Sequence, residues 1–297
     1  MQIAKRIVLF LAVNVLILVT LSFTLNLLGV GHYMSARGID YKALMSFCLV
    51  WGMGGAFISL GLSRILAKWM MGVVVVEPGT IDPTLARLVQ AVHNLATAAN
   101  LPAMPEVGYY PSPEINAFAT GPTRSRALVA VSAGLLEAMD WEQVEGVLAH
   151  EISHVANGDM VTMTLVQGII NAFVMFLARV IAFFISNRGR DSDSSAAPSY
   201  FLVIALEIAL SALGMLVVSA FSRMREYRAD AGGASLGGRQ KMIGALEALQ
   251  KTVQYADLTN KPSLASFKIA GKPRGFMALF STHPPLEDRI KRLKAEA

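Results

Sequence analysis

His150-Glu151-Ile152-Ser153-His154 is the stretch whose reading decides the rest of the chain. On a helix, positions four apart differ by only about 40° in azimuth and one turn in height, so the two histidines share a face. Two neutral imidazoles so placed can hold one zinc ion, with Glu151 beside it as a general base. The competing reading is a helix with two surface histidines. Asp140 is the expected N-cap of this helix, with Gln143 three residues on as in a capping box. Val144, Val147 and Leu148 supply an apolar face, while Glu142 and Glu145 are polar positions near the start. The helix is therefore amphipathic and points to chemistry at a membrane surface rather than deep in lipid.

Catalytic zinc usually takes three protein ligands and leaves one position open. A third histidine in the pattern His-Glu-x-x-His-x-x-Gly-x-x-His is excluded, because Asn157 and Met160 stand where Gly and His are needed. Glu226, in Glu226-Tyr227-Arg228-Ala229-Asp230, is the better candidate. It follows one apolar run directly, as His154 shortly precedes another, and a helical hairpin of the two runs would bring both to one membrane face. Asp230 shares the helix face of Glu226 and can accept the Nδ1 proton of a ligand histidine. The competing reading of Glu226 is an ion pair with Arg225 or Arg228.

The apolar runs number four: Ile7–Val30, Ala43–Ser63, Met160–Asn187 and Ser199–Ser222. Each is long enough to cross a bilayer. They explain why 54% of the 297 residues are hydrophobic and only 16% charged, against about 25% charged in a soluble domain. A signal peptide is the alternative for the first run, but no small-x-small cleavage site follows it, so an uncleaved anchor is expected. Gly52, Gly54 and Gly55 would allow close helix packing. Gly31–Lys42 reads as a short polar loop and Arg188–Pro198 as a flexible one. Arg179 and Glu207 fall at matching depths of the second hairpin and are expected to pair; the alternative is that Arg179 snorkels alone.

Net charge is +5, and many basic residues flank the apolar runs, which indicates membrane topology and no nucleic-acid partner. With four spans, one side would carry Lys5, Arg6, Arg64, Lys68, Arg223, Arg225 and Arg228 near the span ends. The other would carry Arg37, Lys42, Arg188 and Arg190. That bias favours both termini in the cytoplasm. The single cysteine, Cys48, excludes an intramolecular disulfide and a Cys-rich zinc site, and fits a reducing compartment. The expected organisation is a transmembrane hairpin over 1–66 (spans about 7–30 and 43–63) and the first half of a catalytic domain over 67–159. A second hairpin over 160–222 (spans about 160–187 and 199–222) and the second half over 223–297 complete the chain. Within the first half, strands are expected at Gly72–Glu77, Val107–Tyr110, Ile115–Thr120 and Ala127–Ser132, and a helix at Leu85–Ala99. His93 falls in that helix as a surface or packing residue.

The sequence resembles the HtpX family of bacterial membrane-bound zinc metalloproteases, relatives of the eukaryotic CAAX prenyl endopeptidases. The resemblance covers nearly the whole chain. It rests on Asn116-Ala-Phe-Ala-Thr-Gly121, Ala149-His-Glu-Ile-Ser-His-Val-Ala-Asn-Gly-Asp159, Arg225-Glu-Tyr-Arg-Ala-Asp230 and Thr282-His-Pro-Pro-Leu286. It implies an α-helical membrane protein of four spans with a cytoplasmic α+β zincin-like (gluzincin) catalytic domain, in the bacterial inner membrane. One zinc per chain would be held by His150, His154 and Glu226, with Glu151 as catalytic base and Asp230 supporting a ligand histidine. His283 is expected to stabilise the oxyanion, or else to be a turn histidine. Asn116, Ala117, Phe118 and Ala119 are expected on an edge strand that binds substrate backbone; an ordinary flanking strand is the alternative. Arg289 would bind substrate or support the His283 site; an ordinary charge on the last helix is the alternative. The implied function is hydrolysis of misfolded or damaged membrane proteins in stress-response quality control, overlapping with other membrane proteases. A catalytically silent scaffold with structural zinc is the alternative.

Overall fold

The structure, a computed structural model, describes residues 15, 17, 19–27, 34, 35, 38–187, 199–258 and 279–295. The expected loop Arg188–Pro198 and the remainder of Ile7–Val30 lie outside the described residues. Residues 19–27 are helical. Next along the chain are strands β1 (Met34–Ser35) and β2 (Gly38–Ile39), helix α1 (Tyr41–Met71), β3 (Val74–Val75), α2 (Pro83–Ala98), β4 (Glu106–Tyr110), β5 (Ala117–Thr120) and β6 (Leu128–Ser132). After these come α3 (Ala133–Ala138), α4 (Trp141–Asn157), α5 (Asp159–Asn187), α6 (Tyr200–Gly237), α7 (Arg239–Leu258) and α8 (Leu286–Ala295). The chain divides into two compact units, residues 1–60 with 163–218, and residues 61–162 with 219–297.

The first unit is built from apolar helix. Among the described residues α1, α5 and α6 are long and apolar enough to cross a membrane; even the shortest, at 29 residues, exceeds the roughly 20 that a bilayer core requires. Large apolar side chains point outward from them, including Ile169, Phe173, Ile208 and Leu213, as lipid contact demands. Between helices the packing relies on small residues. A Cβ on Gly52 would sit 2.5 Å from the Ala172 backbone nitrogen, and one on Gly54 would strike the Leu21 side chain. Within Gly31–Lys42, β1 and β2 pair antiparallel. Sequence indicates only a loop there, because two-residue strands carry no periodicity to detect. Asp40 then caps α1, its Oδ1 accepting from the backbone nitrogens of Lys42 and Ala43 at 2.9 and 3.1 Å.

Arg179 does meet Glu207: Nη1 donates to Oε1 at 2.5 Å and to the Met175 carbonyl at 3.0 Å. Removing one partner of a pair held away from water strands the other charge and costs about 3 kcal/mol. Reversing either charge singly is therefore expected to lower the Tm of the detergent-solubilised protein. The double reversal Arg179→Glu with Glu207→Arg should recover most of that loss. A double variant no better than the singles would show that the contact contributes nothing.

The second unit holds a four-stranded sheet of order β3-β4-β6-β5. β4 and β6 run parallel; β3 and β5 are antiparallel neighbours at the two edges. β6 is buried along its whole length, as expected of its near-continuous apolar run. β3 is shorter than Gly72–Glu77: Val74 and Val75 pair with Tyr109 and Gly108, and beyond them Val76 N adds a single bond to the Val107 carbonyl at 2.8 Å. α2 begins one residue after Asp82, whose Oδ1 accepts from Thr84 N and Leu85 N. It lies with α4 over one face of the sheet, around Leu88, Val92, Val129, Leu148 and Ile152. His93 is a half-buried residue of that helix. α7 and α8 close a second cluster on Met242, Leu246, Ile290 and Leu293.

Candidate metal centre

α4 carries the first two candidate ligands. Its start is fixed by Asp140, whose backbone nitrogen donates to Gln143 Oε1 at 3.2 Å. Its end is fixed by Gly158 in the left-handed conformation (φ 69°), which stops the helix one residue before α5. Both histidines are buried, and their rings meet edge to face with Nε2 atoms 3.1 Å apart. Glu226, on α6, is also buried; its Oε2 lies 3.5 Å from His150 Nε2 and its Oε1 3.4 Å from His154 Nε2. Small residues let the two helices approach so closely. A Cβ on Gly233 would stand 3.0 Å from the His150 nitrogen, and one on Gly232 would collide with Ser153 Oγ.

The outer nitrogens of both rings face carboxylates. His150 Nδ1 is 3.0 Å from Asp230 Oδ1, and His154 Nδ1 is 2.6 Å from Asp159 Oδ2. Each carboxylate accepts the Nδ1 proton, which leaves both Nε2 lone pairs facing each other and the Glu226 carboxylate. Three electron-rich atoms converging in a buried space repel one another unless a cation sits between them. Glu226 Oε2 accepts no hydrogen bond of good geometry, although His283 Nδ1 stands 2.9 Å away. The edges of the triangle, 3.1, 3.4 and 3.5 Å, match the roughly 3.3–3.4 Å between ligands on a tetrahedral zinc. The donor set therefore fits zinc.

Electrostatics agree. Burial opposes the charged form of Glu226, but the His150, His154 and His283 rings hold its carboxyl far below the usual range. Burial likewise disfavours the His154 cation, yet Asp159 and Glu226 push its pKa up to about 9. The site is a well for positive charge, filled by protons when no metal is present.

Asp159 is the residue that sequence reasoning misses; there it appears only as the last residue of the motif Ala149–Asp159. The signal was its place just past Gly158, since a left-handed glycine folds the next residue back over the last helical turn. Arg289 is buried and closes a fork on Asp230, Nε to Oδ2 at 2.7 Å and Nη2 to Oδ1 at 2.6 Å. This contact is with the carboxylate behind His150, not with His283, the site that Arg289 is expected to support. Arg225 Nη2 also reaches Glu226 Oε1, at 3.3 Å, so the ion pair weighed against the ligand role coexists with the cluster.

A cleft of about 220 Å³ opens beside this cluster and is lined by Glu151, His283 and Arg289 as well as by Asn116 and Ala117. Among the described residues nothing hydrogen-bonds the Glu151 carboxylate. Asn116 leads into the edge strand β5, whose Ala117 to Thr120 pair on one side with Val131 to Leu128. Ser132 fixes this entry, accepting from Asn116 N at 3.1 Å and donating to the Glu114 carbonyl at 2.5 Å. Phe118 leans on Tyr110, their ring centroids 5.8 Å apart.

Comparison with known proteins bears on this geometry. The profile described as Peptidase family M48 matches residues 84–297. A protein named Protease HtpX homolog from Bacillus subtilis is 50% identical, over 99% of this chain and 100% of the relative. A protein of the same name from Bacillus velezensis is 48% identical at the same coverage, and one from Methylacidiphilum infernorum is 46% identical over 98% of each chain. Among solved structures, the crystal structure of S. mikatae Ste24p superposes with a TM-score of 0.66 at 19% identity. That match covers 98% of this chain but only 64% of the other.

Proposed function

The chain belongs to peptidase family M48 and is a membrane metalloprotease; from that premise we propose a zinc metalloendopeptidase that cuts membrane proteins at the cytoplasmic face. The observation that carries this reading is the convergence of His150, His154 and Glu226 beside the unengaged carboxylate of Glu151, in a cleft bordered by a sheet edge. His150, His154 and Glu226 would hold the zinc, with Asp230 and Asp159 fixing the ring tautomers. Bound there, zinc would act as a Lewis acid toward the scissile carbonyl and lower the pKa of an attacking water.

The remaining work falls to side chains of this chain. Glu151 takes the proton of the attacking water on its carboxylate and passes it to the leaving amine nitrogen. His283 donates toward the carbonyl oxygen as negative charge develops there. Asn116 and the free edge of Ala117, Phe118 and Ala119 receive an extended substrate backbone by strand addition. Arg289 holds Asp230, and through it His150.

We assign four spans, with 1–66 and 160–222 as transmembrane hairpins and 67–159 and 223–297 as halves of the catalytic domain. The excess of basic residues at one set of span ends supports a cytoplasmic catalytic domain in the bacterial inner membrane. Misfolded or damaged membrane proteins are the substrates we favour, with a role in stress-response quality control. The scaffold alternative is not favoured, given protease relatives matched end to end. Chelation with phenanthroline is expected to stop cleavage of a membrane-protein substrate in detergent, and added zinc to restore it. Cleavage that survives complete metal removal would overturn the reading.

A further inference from the structure

Three consecutive carbonyls just before His283 are held by side chains of α6. Ser219 Oγ donates to the Phe280 carbonyl at 3.0 Å. Arg223 Nη1 donates to the carbonyls of Leu279 and Ser281 at 2.9 and 2.8 Å. Ser281 Oγ then donates to the His283 carbonyl at 2.7 Å, and Pro284 and Pro285 stiffen the chain on the other side of the ring. Ser219, Arg223 and Glu226 occupy positions i, i+4 and i+7, so one stripe of α6 carries both the clamp and the third candidate ligand. The His283 side chain itself is 63% exposed. Packing does not locate its ring; the clamped turn does, together with the Glu226 carboxylate 2.9 Å from Nδ1.

From this geometry we propose that Arg223, assisted by Ser219, is a positioning residue that sets His283 over the cleft. Sequence alone gives Arg223 only a topological role, as one positive charge among several at a span end. Two bonds donated by one side-chain nitrogen to two backbone carbonyls are a different requirement, one for reach and for protons to donate rather than for charge alone. The inference rests on the reading of His283 as a donor to the developing oxyanion. A ring displaced by an ångström would still let substrate bind, but would aim badly at the transition state.

The test uses the full-length, zinc-loaded protein in detergent, with kcat, KM, zinc content, Tm and affinity for a peptide phosphinate measured for each variant. Arg223→Met is expected to lower kcat about tenfold and to weaken phosphinate binding similarly, with KM and zinc content unchanged. Arg223→Lys keeps the charge and one nitrogen able to donate twice, but on a shorter side chain, and is expected to lose less than Arg223→Met, about threefold in kcat. Ser219→Ala should show a smaller loss of the same kind. The double variant Arg223→Met with His283→Ala should be no slower than His283→Ala alone, because one residue acts through the other. Wild-type kcat in Arg223→Met, or additive losses in the double variant, would overturn the inference while leaving the role of His283 standing. A His283→Ala protein with full activity would remove that role, and the inference with it. If Arg223→Met fails to fold, Arg223→Lys and Ser219→Ala decide the question alone.

Discussion

Replacing Glu151 with alanine is expected to lower kcat about 10³-fold while the protein keeps its zinc. The two effects separate because Glu151 is next to His150 in sequence but not part of the ligand cluster. The three candidate ligands, and the carboxylates of Asp159 and Asp230 behind them, are untouched by the change. The side chain lines the cleft, so its loss should move Tm little. On the proposed mechanism, what disappears is the acceptor for the water proton, and with it the donor to the leaving amine. Metal analysis and turnover on one preparation check the prediction. A zinc-loaded Glu151→Ala protein that still cuts its substrate would show that another group is the base.

The second large effect is on metal retention. Glu226→Gln preserves volume but removes the only carboxylate among the described residues that faces both Nε2 atoms. Zinc affinity is expected to fall at least about 100-fold, and the variant should lose its metal on dialysis where the wild type keeps it. The pH dependence follows from the raised pKa of His154. In the metal-free protein this ring binds a proton more tightly than in the unfolded chain, about 9 against 6.5. That proton stabilises the metal-free fold fully below pH 6.5, and the contribution is lost as pH rises through about 9. Zinc must displace the same proton, so its affinity changes in the opposite sense, rising over that window. Tm measured against pH with and without a chelator should therefore diverge toward the alkaline side. In Glu226→Gln one of the three carboxylates supporting the proton (Asp159, Glu226 and Glu151) is gone, and the window moves to lower pH. Parallel curves with and without metal would sink this account.

Part of the centre was legible in sequence because its determinants are local. The i, i+4 spacing places His150 and His154 on one face whatever surrounds them, and Asp140 with Gln143 announces the helix start three residues ahead. The same spacing puts Asp230 beside Glu226 on α6. Glu226 itself needed one long-range assumption, that two apolar runs pair as a hairpin; Arg179 and Glu207, meeting at 2.5 Å, carry the mark of that pairing.

Other features had no local signal. The sheet order that leaves β5 on an edge joins strands out of sequence. Asp159 reaches His154 only because Gly158 adopts a positive φ. Arg289 meets Asp230 across 59 positions, and Arg223 holds Ser281 across 58. Sequence by itself determined the apolar runs, the helix that carries the histidines and the identity of the candidate ligands, since periodicity, caps and ligand chemistry act over a few residues. Tertiary structure alone decided that Asp159 stands behind His154, that Arg289 grips Asp230 and that Arg223 holds the turn before His283, because a hydrogen bond of this kind depends on where whole helices dock, and no short-range propensity encodes that.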